Sequence, residues 1–328
     1  NGVSLVGRSF KYHRPRGIYS SGSEEPNALV QLERGAHTQP NLRATQIELY
    51  DGLKAESINC WPNVDFDIWA LNGLFGRIYP AGFYYKTFMK PKRLWPLFER
   101  IIRQAAGLGK APNEPDPDKY ETAYYHCDVL IVGGGPSGLS AAQAAGGTGA
   151  RVILVEEQNE FGGALLGNHD EINDNPAIEW VEGIVKDLQA MNEVYLLPRT
   201  TVFGYYHHNY LTAVERITDH LNGTPGDKFR QRYLKIRARH VVLASGAIER
   251  PMVFENNDRP GVMLASAVST YINRYGVRLS RRAVVFTNND DGYRSAIDLA
   301  NMGAHVFLID VRPKFNGEWP RRAAEVGV

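Results

Sequence analysis

Cysteine is nearly absent from this chain. Cys60 and Cys127 are the only two in 328 residues, far apart and in neither Cys-x-x-Cys nor Cys/His ligand spacing. That argues against a metal site, fits a reducing compartment, and leaves each thiol as a small buried apolar side chain. An excess of charge is missing too: Lys+Arg 37 against Asp+Glu 36 gives a net charge of +1. Neither nucleic acid nor an anionic membrane is therefore expected as a partner. No run of 18 apolar residues exists, so no helix is expected to span a bilayer, and the location expected is cytoplasmic. The first residues, Asn-Gly-Val-Ser-Leu-Val-Gly, carry neither an initiating Met nor a signal peptide, and the last, Ala-Ala-Glu-Val-Gly-Val, stop without a tail. The expectation is a piece of a longer polypeptide. With 43% hydrophobic and 22% charged residues, the chain can bury a sizeable core in two or more domains.

The richest stretch is Cys127 to Glu157, read as strand, glycine turn, helix, second strand and acid. Val129–Val132 suits a buried parallel strand, and Gly133, Gly135 and Gly138 follow it in G-x-G-x-x-G spacing. Gly133 permits a tight turn, Gly135 removes the Cβ that would meet a pyrophosphate, and Gly138 lets the helix press on the sheet. Phosphates then meet free N–H groups and the positive end of the helix dipole. Val152–Val155 is the second strand, and Glu156 lies 18 residues beyond Gly138, near the spacing of a ribose-binding acid. A bound dinucleotide is expected. FAD and NAD both offer a free 2′-hydroxyl to Glu156 and stay open as alternatives, whereas the 2′-phosphate of NADP would be repelled.

Residues 1–45 read as a small β-rich module with a strand at Ala28–Leu32. Its cluster Lys11, His13, Arg14 and Arg16 is expected to be a hydrated loop; the alternative is that it faces an anion or a partner subunit. Residues 46–120 are rich in rings (Trp61, Phe66, Trp69, Phe75, Tyr79, Phe83, Tyr84, Tyr85, Phe88, Trp95, Phe98) without helical or strand periodicity, as in a segment that wraps another domain or chain. Leu97–Ala106 is expected as a helix ending near Gly107, and the prolines of 111–118 mark a linker.

Beyond the fingerprint, Glu160-Phe-Gly-Gly163 is either an ordinary loop or bare backbone beside a nucleotide. A helix is predicted from Asn175-Pro176 to about Asn192, then strands at 194–197, 200–206, 210–217 and 229–236, with His207 and His208 as surface residues. His240-Val-Val-Leu-Ala-Ser-Gly-Ala247 reads as a buried strand whose small end, including Ser245 and Gly246, lets backbone pass under a nucleotide. Residues 282–309 repeat the strand, turn and helix, but Asn288, Asn289 and Asp290 replace the bare glycines, so phosphate binding there is not expected.

Gly7-Arg-Ser-Phe-Lys-Tyr-His-Arg-Pro-Arg-Gly17, then Gly22-Ser-Glu-Glu-Pro-Asn-Ala-Leu29, the Gly133 fingerprint, Glu156-Glu-Gln158 with Gly162-Gly163, and Ala244-Ser-Gly-Ala-Ile-Glu-Arg-Pro251 together resemble the alpha subunit of heterotetrameric sarcosine oxidase. The resemblance implies an α/β fold: Rossmann-like dinucleotide-binding domains of the two-dinucleotide type, preceded by a ferredoxin-like β-rich module. Where relatives hold a cysteine cluster this chain offers Ser20, Ser21, Gly22 and Ser23, so an iron–sulfur centre is not expected. The domains then run 1–45, 46–120, 121–250 and 251–328. The resemblance further implies NAD on this chain and FAD and FMN on the beta subunit or its interface. Beta, gamma and delta subunits would be partners, with sarcosine and tetrahydrofolate as substrates of the complex. It places cofactor contacts on Gly133, Gly135, Pro136, Ser137, Gly138, Glu156, Glu157, Gln158, Gly163, Ala164, Val202, Ser245 and Gly246. No catalytic residue and no metal ligand falls on this chain.

Two alternatives remain. One is an independent FAD-dependent reductase of the pyridine-nucleotide-disulfide type, against which the missing Cys-x-x-Cys speaks. The other is the alpha subunit of a related amine, opine or proline dehydrogenase, against which the missing cysteine cluster speaks.

Overall fold

The computed structural model describes residues 4–10, 12–32, 35–58, 60–75, 78, 82, 90–222, 226–314 and 316–328. Lys11, Tyr79, Phe83, Tyr84, Tyr85 and Phe88 of the expectations above lie outside the described residues. The chain divides into two compact units, Asn1–Pro117 with Arg250–Leu264, and Asp118–Glu249 with Ala265–Val328. This grouping joins the first two expected segments into one unit and returns residues 250–264 to it.

In the first unit, β1 (Gly7–Arg8) pairs antiparallel with β2 (Pro15–Arg16). β3 (Leu29–Leu32) is the middle strand of an antiparallel sheet between β4 (Gln39–Arg43) and β5 (Ala55–Ser57), which is why residues beyond 45 belong to the N-terminal module. Ala28 and Leu32 are buried beneath it. The basic loop differs from expectation, because Arg14 and Arg16 are paired, and His13 is hydrogen-bonded, within the unit. Buried His13 places Nε2 3.1 Å from the carboxylate of Asp67, which Arg8 also meets at 2.7 Å. Arg14 and Arg16 both bind Asp258, at 2.7 and 2.5 Å, and so tie the 250–264 segment to the hairpin. Among the described residues the helices α1 (Asn72–Phe75) and α2 (Trp95–Ala105) follow. The second begins with a proline in its first turn and stops before Gly107, whose φ of 74° cannot continue a helix.

The second unit is built on one six-stranded sheet. β6 (Tyr120–Val132) and β7 (Val152–Val155) are parallel neighbours, joined through α3 (Pro136–Gly146). A hairpin of β8 (Glu171–Ile172) and β9 (Asn175–Pro176) leads into α4 (Ala177–Gln189). The sheet is completed by β10 (Val194–Leu197), β11 (Thr200–Tyr206), β12 (Tyr210–Arg216) and β13 (Gln231–Leu243), in the order β10-β7-β6-β13-β12-β11. The first four strands in that order are parallel, and β12 and β11 are antiparallel. Residues of β6 and β7 alternate between two cores. Ile131, Val152 and Leu154 pack with Leu139 of α3 and with Val181 and Leu188 of α4; Leu130, Ile153 and Val155 pack with Leu211, Leu234 and Ile236. A strand buried on both faces must read as an unbroken apolar run, as Val152–Val155 does.

The strand expected at 229–236 and the one expected from His240 are a single strand, and its end is not buried: His240 and Leu243 are exposed. Last come α5 (Ala265–Asn273), β14 (Arg282–Thr287), α6 (Asp291–Asn301), β15 (His305–Asp310) and α7 (Glu318–Glu325), with β14 and β15 parallel. Val285, Ala296, Leu299 and Ile272 form their core. Among the described residues no helix is long and apolar enough to cross a membrane.

Candidate dinucleotide-binding site

The site forms where β6 ends and α3 begins. Gly133 has a φ of 105°, donates its N–H to the Val155 carbonyl at 2.9 Å, and lies so close to the Ala244 backbone that a Cβ would sit 2.3 Å from that carbonyl oxygen. Only glycine meets both conditions. Gly138, in the first turn of α3, is as constrained, since a Cβ there would fall 1.9 Å from the Gly133 carbonyl oxygen. Gly135 is different. Its φ of −74° suits any residue, and a Cβ there would meet only the Cα of Gly163, at 3.9 Å. A side chain at Gly135 would thus clash with nothing in the chain, and the residue precedes a helix whose first N–H groups have no helical partner.

Glu156 anchors this turn. It is 7% exposed, and its two carboxylate oxygens accept the N–H groups of Gly134 at 2.6 Å and of Gln158 at 2.9 Å. Burial pushes its pKa above the usual carboxylate value, against the pull of those two bonds. A carboxylate has about four lone-pair sites, so acceptor capacity remains for a ribose hydroxyl. The start of β11 also meets this corner, with Thr200 N–H donating to the Glu156 carbonyl at 2.7 Å and Arg199 N–H to that of Gln158 at 2.8 Å.

Of the residues expected to hold the cofactor, Gly133, Gly135, Pro136, Ser137, Gly138, Glu156, Gln158 and Gly163 gather around the turn. Ser245 follows the Ala244 carbonyl that covers Gly133, with exposed Gly246 next at a φ of 72°. Ser137 and Ala164 are exposed. Val202, Glu157 and Gln158 have engagements that sequence did not indicate. Val202 packs into the second core, the Glu157 carbonyl accepts a bond from Arg216, and the Gln158 amide oxygen accepts one from Arg274. Sequence reasoning missed Gly134, and took Gly162 only as part of the Glu160–Gly163 loop. Gly162 N–H bonds the Gly134 carbonyl at 2.8 Å, and a Cβ on Gly134 would strike the Phe161 ring at 2.5 Å. The Phe-Gly-Gly run was the available signal, and it belongs to the floor of the turn. In the second unit's later turn, Arg312 pairs with Asp290 at 2.8 Å, and the Asn289 side-chain oxygen accepts the Asp291 N–H at 3.0 Å.

Comparison with known proteins fits this geometry. Residues 128–218 match the family of FAD dependent oxidoreductases, and residues 1–60 match the 2Fe-2S iron-sulfur cluster binding domain. Sarcosine oxidase subunit alpha of Rhizobium meliloti (strain 1021) is 51% identical over 315 residues, which is 95% of this chain and 32% of that protein. That of Corynebacterium sp. (strain U-96) is 38% identical over 319 residues, covering 95% and 28%. The chain is homologous to sarcosine oxidase alpha subunits. It spans about a third of the length of these curated relatives. L-proline dehydrogenase from P. horikoshii shares the fold, with a TM-score of 0.56 at 22% identity over 96% of this chain and 49% of that one.

Two groups are implied by these families. The residues present fit a dinucleotide, because Gly135 leaves a bare cradle and Glu156 carries free acceptor capacity. They do not fit an iron–sulfur cluster, which needs a set of thiolates. Residues 1–60 hold Cys60 alone, half-buried, with its pKa raised by burial.

Proposed function

We propose that this chain is the dinucleotide-carrying part of the alpha subunit of a sarcosine oxidase. In that reading NAD lies across Gly133, Gly135 and Gly138 with its adenosine ribose on Glu156. FAD and FMN reside on the partner beta subunit or its interface, and gamma and delta subunits complete a cytoplasmic heterotetramer. The complex converts sarcosine, O2 and water to glycine, formaldehyde and hydrogen peroxide, or delivers the carbon to tetrahydrofolate as 5,10-methylenetetrahydrofolate. Bound flavin supplies the two-electron oxidation of the C–N bond. This chain's residues bind and orient. The α3 N-terminus and the bare Gly135 backbone receive the pyrophosphate, and the Glu156 carboxylate accepts the ribose hydroxyls while Gly134 and Gln158 hold it in place.

The observation that carries this reading is the 51% identity to a sarcosine oxidase alpha subunit along 95% of the chain, glycine turn included. The match of residues 128–218 to FAD dependent oxidoreductases favours a second reading, in which the same cradle holds FAD. Mass and absorbance of the ligand released by denaturing the purified chain separate the two. Stoichiometric NAD and no yellow colour are expected; stoichiometric FAD would establish the second reading.

A further inference from the structure

The N-terminal module matches a cluster-binding family and lacks the thiolates, which raises the question of what fills the cluster's place. Plant-type cluster loops run Cys-x4-Cys-x2-Cys, so their ligands fall at i, i+5 and i+8. In the loop after β2, residues at that spacing turn inward: Ser20, Glu25 and Ala28 are 1%, 0% and 3% exposed. Ser21, Gly22, Ser23 and Glu24 between them are half-buried, so the positions that matter are not the contiguous run suggested by the sequence.

Glu25 occupies the centre. Its Oε2 accepts the N–H groups of Tyr19 and Ser20, each at 2.7 Å, and its Oε1 accepts those of Asn27 at 2.7 Å and Ala28 at 3.2 Å. We infer that the Glu25 carboxylate is a built-in anion standing where the family carries its anionic cluster. Hydrogen bonds to cluster sulfurs are part of how such loops hold and tune their cluster. A loop folded with its N–H groups converging inward needs an acceptor once the cluster is lost, because buried unpaired N–H groups are costly. One carboxylate satisfies four of them.

The consequence is a module that keeps the loop's shape and gives up electron relay. The loop contributes Tyr19, Pro26 and Asn27 to the wall of a cavity of about 520 Å³. Asn27 is further tied by its side chain to the Gly17 carbonyl at 3.0 Å.

The test is chemical rescue in the full chain. Glu25→Ala should lower the thermal midpoint by about 5 °C, and added sodium formate should restore at least half of the loss while an equal concentration of sodium chloride does not. The parent's midpoint should not respond to formate. Glu25→Gln, which keeps one acceptor oxygen and loses the charge, should fall between parent and alanine variant, and it carries the test if Glu25→Ala yields no soluble protein. A Glu25→Gln variant as stable as the parent, equal response of parent and Glu25→Ala to formate, or iron–sulfur absorbance after reconstitution of the parent with iron and sulfide would each overturn the inference.

Discussion

The carboxylate of Glu156 accepts the backbone N–H of Gly134 at 2.6 Å, so the acid at the end of β7 fastens the middle of the glycine turn that follows β6. Sequence spacing gave this acid one duty, toward a ribose. In the structure it braces the chain itself, since the same side chain also receives Gln158 N–H and is almost fully buried. Glu156→Ala is therefore expected to weaken both nucleotide binding and the fold. Leaving the two N–H groups unpaired should cost about 1–3 kcal/mol of stability. Denaturant unfolding of the ligand-free protein checks this: an alanine variant as stable as the parent would mean that the bonds to Gly134 and Gln158 contribute nothing net.

The same residue sets a pH dependence. Its pKa in the fold is raised above the ordinary value, so between the two values the folded chain keeps a proton that the unfolded chain has released. Its contribution to ligand-free stability is thus present below the ordinary value and is lost as pH rises through the folded pKa. Nucleotide affinity should run the opposite way, because the ionised form offers acceptors on both oxygens to the ribose. Calorimetric titration from pH 4.5 upward should show binding tighten in the parent and stay flat in Glu156→Gln. Parallel profiles would remove Glu156 from the ribose site.

The glycines of the turn should separate by what they make room for. Gly138→Ala places a Cβ against the Gly133 carbonyl and should cost more than about 3 kcal/mol, far above the small gain in helix propensity. Gly135→Ala makes only an ordinary van der Waals contact with the Gly163 Cα, at 3.9 Å, so its thermal midpoint should match the parent's. Its nucleotide affinity should fall at least tenfold if the proposed site holds, because the added methyl would stand where the pyrophosphate is proposed to approach. Differential scanning with and without NAD reads both effects, and an unchanged ligand-induced shift in Gly135→Ala would move the phosphates elsewhere.

Much of this was legible in the chain, for physical reasons. Val152–Val155 announces itself because a strand buried on both faces needs apolar residues throughout, and the glycine spacing is dictated by contacts within a few residues of the turn. What was illegible depends on partners distant in sequence or on backbone. Arg14 and Arg16 read as a hydrated patch because nothing local signals Asp258, more than 240 residues away. The strand Gln231–Leu243 was split in two because Arg237, Arg239 and His240 interrupt its apolar pattern. All three are exposed, and Arg237 lies over the Tyr210 ring at 5.3 Å. Glu25 drew no notice because its partners are four backbone N–H groups that carry no sequence signature.

Asp258 offers a test of the first unit's closure. Bonds from Arg14, with Arg16 beside it, hold its pKa at about 2, below the ordinary carboxylate range. A depressed pKa gives stability that is present above the ordinary value and lost as pH falls toward about 2. The tie between the hairpin and residues 250–264 should therefore survive mild acid and fail only near that limit. Asp258→Asn should open the segment at neutral pH, with several-fold faster proteolysis between 250 and 264. Equal cleavage rates in parent and variant would show that the ion pairs do not hold the segment.

Cys127 is 3% exposed in the second unit, and burial pushes its pKa to about 11. At pH 8 roughly one molecule in a thousand carries the thiolate that reacts. Native protein should leave Cys127 unlabelled by iodoacetamide over an hour and label it fully in denaturant, as peptide mapping would read. Rapid native labelling would contradict its place in the core beside Leu130 and Ile153.

The last prediction concerns the apolar side chains left outside the first unit's core. Trp61, Phe66, Leu71, Leu74, Leu94, Leu97 and Ile101 are all exposed, and α2 shows Leu97 and Ile101 on one face, four residues apart. Single exposed apolar residues are ordinary, but seven of them within about forty residues make this segment the candidate for an association surface. Lys92, Arg93 and Arg100 are exposed among them and suit the polar rim of an interface. The chain expressed alone should bind a hydrophobic dye and self-associate, and co-expression with a beta-type subunit should abolish both. Leu97→Asp with Ile101→Asp should reduce dye binding while leaving the thermal midpoint within about 2 °C, since neither side chain contributes to the core. A dye-silent monomer from the unaltered chain, or a large loss of stability in the double variant, would place these residues in the unit's own core.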